Sequence, residues 1–368
     1  MKSVLVALSA GVALVLTACG GSPTGGNPST GGPGVPTPPA ASLTGAGATF
    51  PKPYYDAANF AYNKKFSQVN INYGGGGSGA GISQLTKKTV DYGASDVPLS
   101  AKEAAAMGGS DKVIQIATTL GTVSLAYNLD SVADGHLKLT PDTIAGIFLG
   151  RITKWNDAAL AADNSGVSLP NQDIHVIHRS DGSGTSYIFT DYLSSVSPDW
   201  KAKTGGPGKS ITWPTGDGAQ GNAGVATRIT QTPGAIGYVE LAYVLQTKMK
   251  QAALKNRDGN YVIPSAAGAT AAATAFIGSS PSQFSIVNAS GKDSAPISGY
   301  SWIILYKDQA DKTKGTALVD YLYWLTTAEG QSYAINLHYA ALPSSMASYD
   351  LLALKDVTSG GSALLSVS

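Results

Sequence analysis

Of 368 residues only one is cysteine, at position 19. A chain with one thiol can close no intramolecular disulfide and can build no multi-thiolate metal centre. Histidine is almost as scarce: His136, His175, His178 and His338 are the four, with no HxxxH or HExxH spacing among them. No metal site and no cofactor are expected. Charge is sparse as well, with 13% charged residues and a net charge of +1. That excludes the broad basic field needed to hold nucleic acid or an anionic membrane surface, so any affinity for an anion must come from local, directed donors. Past the N-terminus no uninterrupted apolar run reaches the ~18 residues of a membrane span.

The N-terminus accounts for the cysteine. Lys2 precedes an almost wholly apolar run over residues 4–16, which ends in Leu16-Thr17-Ala18-Cys19. A positive start and a short apolar core mark an export signal over residues 1–19, to be set aside from the fold. Leu-Thr-Ala-Cys resembles the bacterial lipobox, whose cysteine is lipidated and becomes the new N-terminus; the alternative is an ordinary signal cut nearby that leaves a free thiol. The solitary cysteine directly at the end of the apolar run favours lipidation at Cys19, with the protein held at the extracytoplasmic face of the cell membrane by a lipid anchor only. Residues 20–42 hold 7 glycines, 6 prolines and no charge. They read as a disordered tether reaching on the order of 25–30 Å. The folded part is expected to begin near Leu43 and to end before a peripheral tail at residues 358–368.

With 43% hydrophobic residues, a chain of 368 can bury a large core in two domains. Strand-like runs at 69–73, 113–117, 122–127, 174–177, 235–239 and 302–306 alternate with helical runs at 51–66, 81–88, 141–149, 185–193, 221–231 and 315–326. This is an α/β pattern, for which a largely parallel sheet with ligand sites at strand C-terminal ends is expected. Tyr321 and Trp324 share a helix face and read as core. Residues 259–299, rich in Ala, Ser and Gly, are hard to assign.

Three loops carry the chemistry. Residues 173–186 (DIHVIHRSDGSGTS) lead from a buried strand end through a Gly-rich turn into a half-buried helix face starting near Tyr187. Backbone N–H groups at a helix start lack internal partners and carry partial positive charge, which makes a ready anion site. Arg179 adds a forked, permanently charged donor suited to a tetrahedral oxyanion. The plainer alternative is that Asp181 or Ser183 caps a helix. Residues 43–51 (LTGAGATFP) form the second loop, with Thr49 as a natural N-cap and Pro51 fitting the first helical position. Residues 74–81 (GGGGSGAG) form the third, between the strand at 69–73 and a helix. One such loop is a cap; three suggest convergence on one ligand. Other motifs fail. The GxGxxG match at Gly74, Gly76 and Gly79 is expected by chance in so glycine-rich a run. A P-loop ending at Lys209-Ser210 lacks its first glycine, since position 203 is lysine. GxSxG is broken around both Ser78 and Ser183.

Taken together, these residues resemble the PstS family, the substrate-binding proteins of phosphate ABC importers. The resemblance rests on residues 42–55 (SLTGAGATFPKPYY), 90–100 (VDYGASDVPLS), 148–157 (FLGRITKWND), 177–193 (IHRSDGSGTSYIFTDYL), 221–243 (GNAGVATRITQTPGAIGYVELAY) and 341–345 (ALPSS). It implies a two-lobed type II periplasmic-binding-protein fold with two crossing hinge segments, near Thr119 and near Tyr300. One lobe is then 43–119 plus 300–357, and the other 120–299. It further implies that Thr49, Phe50 (through its backbone N–H), Ser78, Asp96, Arg179, Ser183, Gly184 and Thr185 contact phosphate, and that Asp181 pairs with the arginine. Two departures stand out: Gly79 replaces a common second serine, and His178 replaces a basic neighbour of Arg179.

The implied partners are inorganic phosphate and a two-subunit membrane permease with a cytoplasmic ATPase, and no catalysis is expected. Spacing alone would make Asp96 a turn residue before Pro98. The resemblance instead makes it an acceptor for the proton of monohydrogen phosphate, which fully ionised sulfate lacks. A receptor for another oxyanion such as sulfate, molybdate or arsenate is the near alternative. An exported phosphoesterase is the distant one, and it lacks a nucleophile paired with a base or metals.

Overall fold

The computed structural model describes residues 34–275 and 284–367; the export signal, Cys19 and most of the expected tether lie outside the described residues. Order begins earlier than the composition predicts. Val35 packs against the core, the Pro38 carbonyl accepts a hydrogen bond from Gln68 Nε2 at 2.9 Å, and strand β1 (Ala41–Gly47) starts two residues before Leu43.

β1 pairs in parallel with β2 (Val69–Gly75) and β3 (Tyr92–Ser95). The sequence pattern misses β1 and β3, whose Gly- and Ala-rich sequences lack the β-branched alternation of a half-buried strand. Their smallness is steric. A Cβ on Gly45 would lie 2.1 Å from the Tyr92 ring carbon Cζ, so only glycine lets that ring cross β1. β4 (Val113–Tyr127) is one 15-residue strand where two were expected. It is buried almost throughout, so no alternation marks its length.

The minor strand β5 (Lys138–Leu139) precedes β6 (His175–Arg179), β7 (Asp217–Ala219) and β8 (Ala235–Glu240). β6 pairs in parallel with β7 and β8. β9 (Lys250–Gln251) adds to β4, while β10 (Ala253–Lys255) and β11 (Tyr261–Val262) join β5 in a small sheet. β12 (Ser298–Tyr306) runs antiparallel to both β3 and β4. The main sheet order is β2-β1-β3-β12-β4-β8-β6-β7. It is a mixed sheet, with parallel strands at both ends and the antiparallel β12–β4–β8 run between, rather than a largely parallel one. Its register shifts between Ser301 and Trp302, so Thr118 of β4 is left without a partner in the ladder.

The C-terminal segment differs from its expected peripheral place. β13 (Thr358–Ser359) and β14 (Ser362–Ala363) form a hairpin that tucks Leu364 and Leu365 into the main core. Two aromatic clusters anchor that core. Tyr321 and Trp324 are fully buried and stack with centroids 6.4 Å apart, as their helical spacing predicts. Phe189 stacks on Tyr238 at 4.5 Å. Among the described residues no helix is long and apolar enough to cross a membrane.

Candidate functional site

The three loops meet. They lie at the C-terminal ends of β1, β2 and β6, and Asp96 joins them from the end of β3. Thr49, Phe50, Ser78, Asp96, Arg179, Ser183, Gly184 and Thr185 are all buried. The helix after β2 spans Ser78–Thr86 and starts at Ser78 itself, behind Gly77 at φ 91°, three residues earlier than predicted. The helix after β6 spans Gly184–Val196 and is capped by Ser183, whose Oγ accepts from Ser186 N at 3.0 Å. The plainer reading of the DGSGT loop therefore holds for Ser183, alongside its place in the site. Asp181 does something else: it accepts Arg179 Nε at 2.7 Å and a second bond from Arg179 Nη2, and takes Gly221 N at 3.0 Å.

Thr49 is not a helix cap. The first helix runs Lys52–Lys65 with Pro51 at the N-cap rather than inside the helix, and no side chain caps it. The Thr49 oxygen turns across to Asn222, accepting from its backbone N at 3.1 Å and its Nδ2 at 3.0 Å. Tyr243 Oη donates to the Thr49 carbonyl at 2.6 Å and Tyr339 Oη to the Phe50 carbonyl at 2.7 Å, which fixes this loop from two sides. The Phe50 ring is buried against Tyr339, so only its backbone faces the site.

The hydroxyls share one property. Ser78 Oγ accepts from Asp96 N at 3.2 Å and Gly184 N at 3.0 Å. Thr185 Oγ1 accepts from Arg179 Nη1 at 3.2 Å and Asn222 Nδ2 at 3.0 Å. Thr49 Oγ1 takes both its bonds from Asn222. A hydroxyl has two lone pairs and one hydrogen. With both lone pairs engaged, each of the three can interact further only by donating, and no acceptor for these hydrogens is found among the described residues. Three committed donors beside the Arg179 guanidinium and the start of the helix Gly184–Val196 suit an acceptor-rich anion.

Two buried carboxyls shape the field. Burial pushes the Asp96 carboxyl up to about 7, against the Ser301 hydroxyl that donates to Oδ1 at 2.8 Å and the charge of Arg179. Glu240 is likewise pushed by burial up to about 8. Tyr339 Oη lies 3.0 Å from Glu240 Oε2 and also serves the Phe50 carbonyl. One phenol hydrogen cannot serve both, and a protonated Glu240 resolves the conflict by donating to Tyr339. Asp181 behaves oppositely. Partial burial raises its pKa, but the hydrogen bonds and charge of Arg179, with the Gly221 N–H, together hold it below the usual range.

The sequence reading did not single out Asn222, Ser301, Tyr238 or Glu240. Tyr238 Oη accepts from Arg179 N at 2.9 Å and pairs with Ser186 Oγ at 2.6 Å. All but Ser301 fall inside the block 221–243, but position along the chain gives no sign of which loop they face. His178 stacks on Trp213 at 4.7 Å, beside rather than in the ring of donors. Among the described residues no three His, Cys, Asp or Glu are placed to hold a metal.

Comparison with known proteins places this geometry in context. The PBP superfamily domain matches residues 28–329. The phosphate-binding protein PstS of Xylella fastidiosa (strain 9a5c) is 42% identical over 318 residues, covering 84% of this chain and 85% of its own. That of Pasteurella multocida (strain Pm70) is 41% identical over 313 residues, covering 84% and 89%. A crystal structure of a phosphate-binding protein from Stenotrophomonas maltophilia superposes with a TM-score of 0.65 at 21% identity, over 84% of this chain and 93% of that one, and so shares the fold.

Proposed function

The chain belongs to the PBP superfamily and, within it, to the PstS phosphate-binding proteins, and on that premise we propose that it is a high-affinity receptor for inorganic phosphate serving an ABC importer. The observation that carries this reading is the set of three hydroxyls, Thr49, Ser78 and Thr185, each with both lone pairs engaged and a hydrogen left to give. With the Arg179 guanidinium, and with the positive end of the helix Gly184–Val196 behind them, they offer a desolvated dianion several donors and one full counter-charge. Thr49, Phe50, Ser78 and Asp96 hold the ligand from one side; Arg179, Ser183, Gly184 and Thr185 hold it from the other. Asp96 accepts the phosphate proton.

The two sides belong to lobes of 43–119 plus 300–357 and of 120–299, and β4 and β12 are the crossings. The register shift beside Thr118, at the middle of both crossings, supports a hinge there. Delivery is to a two-subunit permease with a cytoplasmic ATPase. The receptor works outside the cytoplasm, tethered through a lipid on Cys19, and carries out no catalysis. Replacing Cys19 by serine should release the protein from the membrane or block its processing.

Calorimetric titration of the purified chain with phosphate, arsenate and sulfate tests the reading. Submicromolar phosphate binding, similar arsenate binding and sulfate weaker by at least about 100-fold are expected, the last from an unpaired buried acceptor. Sulfate binding as tight as phosphate would overturn it.

A further inference from the structure

Among the described residues, one ion pair joins the two proposed lobes. Lys209 Nζ lies 2.5 Å from Glu103 Oε1, 106 positions away along the chain. Every other ion pair stays within 43–119 plus 300–357 or within 120–299. Of them only Arg179–Asp181 is more buried; the Lys209 and Glu103 side chains are 19% and 24% exposed.

Both ends of this pair are mounted on parts that shape the site. Glu103 follows Asp96 by one short turn of chain, and its Oε2 accepts from Ser100 N at 2.9 Å and Ser100 Oγ at 2.8 Å. The Ser100 hydroxyl accepts from Glu103 N in return, a capping box that fixes the carboxylate and leaves Oε1 for the lysine. Partial burial alone would raise the Glu103 carboxyl, but the hydrogen bond from Lys209, with the Ser100 donors, holds it below the usual carboxylate range. On the other side, the Lys209 carbonyl accepts from Ser183 N at 2.8 Å, and Gly208 N donates to Thr190 Oγ1 at 3.0 Å. Lys209 is thus tied to the helix Gly184–Val196 and to its cap. Gly79 N donates to the Gly182 carbonyl at 2.8 Å, so backbone also meets between the same two sides.

We infer that Glu103 and Lys209 form a charge latch between the lobes, two positioning residues that slow phosphate release without touching phosphate. The inference rests on the phosphate reading and the two-lobe division above. The pair exists only while the two sides are together. Opening returns both charges to water, so the latch stabilises the closed form alone and must be broken before the ligand leaves. Its contribution is modest, as for other partly exposed ion pairs, and it falls on dissociation rather than on association.

The experiment follows release of radiolabelled phosphate after dilution into unlabelled phosphate, with affinity measured alongside. Lys209→Met and Glu103→Gln, the latter keeping an acceptor for the Ser100 N–H, should each speed release about 3–10-fold. The association rate, obtained from release and affinity, should stay within about twofold. The double variant should release no faster than either single one, because both remove the same pair. Lys209→Arg should restore slow release. Salt should narrow the gap between wild type and Lys209→Met. The urea midpoint of the phosphate-free protein should be unchanged, which separates a latch from a merely structural ion pair. Release rates unchanged in both single variants, or effects that multiply in the double variant, would overturn the inference and leave phosphate binding intact. A wild type that binds no phosphate would instead overturn the function on which it rests.

Discussion

At the scale of single residues, the proposed function makes selectivity turn on Asp96 and the hydroxyl behind it. Asp96 is 2% exposed, and burial brings its pKa to about 7. On that proposal the ionised carboxylate accepts a phosphate proton and repels sulfate. Protonated, it can donate to a bare sulfate oxygen. Discrimination against sulfate should therefore weaken as the pH falls through about 7. In Asp96→Asn the ratio should be flat with pH and lower at pH 8 by about 1–3 kcal/mol, the cost of an unsatisfied buried polar group. Ser301→Ala removes the donor that steadies the ionised form, so it should shift the wild-type transition to higher pH without abolishing it. Competition titrations of phosphate against sulfate across pH 5.5–8.5 decide this. A constant ratio in wild type would place selectivity elsewhere.

At the scale of elements, the loops were legible and their neighbours were not. Gly-rich runs ending strands and opening helices can be read from adjacent residues, as can Arg179 with Asp181, two apart. β1 and β3 could not, because their Gly and Ala residues exist to let Tyr92 and the helix Ser78–Thr86 pack directly on the sheet, a demand set by partners far along the chain. The continuity of β4 was hidden by full burial. Ser301 and Asn222 carry ordinary sequence contexts, and their roles come from Asp96 and Thr49, 205 and 173 positions away. Gly184 is the element-scale test. A Cβ there would lie 2.5 Å from Asp96 Cβ and 2.6 Å from Ser78 Oγ, so the helix start and the facing loops touch only because the residue is glycine. Gly184→Ala should keep the helix, since alanine favours it, yet hold the two sides apart and weaken phosphate binding by about 1–3 kcal/mol through overpacking. Unchanged affinity would mean that the loops do not close this tightly on the ligand.

At the scale of the whole molecule, the fold buries acids whose ionisation it resists. Burial brings Asp96 to about 7, Glu240 to about 8 and Asp320 to about 6, and raises Asp350 well above the usual carboxylate range. Among the described residues, Asp320 Oδ1 and Asp350 Oδ2 have no hydrogen-bond partner. In the unfolded chain each would be ionised from about pH 4–5 upward. Between that point and about pH 8 the folded state thus binds more protons than the unfolded one, and stability must fall as the pH rises. Asp181 acts with the opposite sign: its lowered pKa contributes stability that is lost only in acid, below the usual carboxylate range. The phosphate-free protein should accordingly be most stable near pH 5, with a urea midpoint that declines toward pH 8, and Asp96→Asn should make the decline shallower. Phosphate should reverse the trend near neutrality, because the dianion binds only the folded state and engages the ionised form of Asp96. A urea midpoint that rises from pH 5 to pH 8 in phosphate-free buffer would show that these carboxyls ionise freely where they stand.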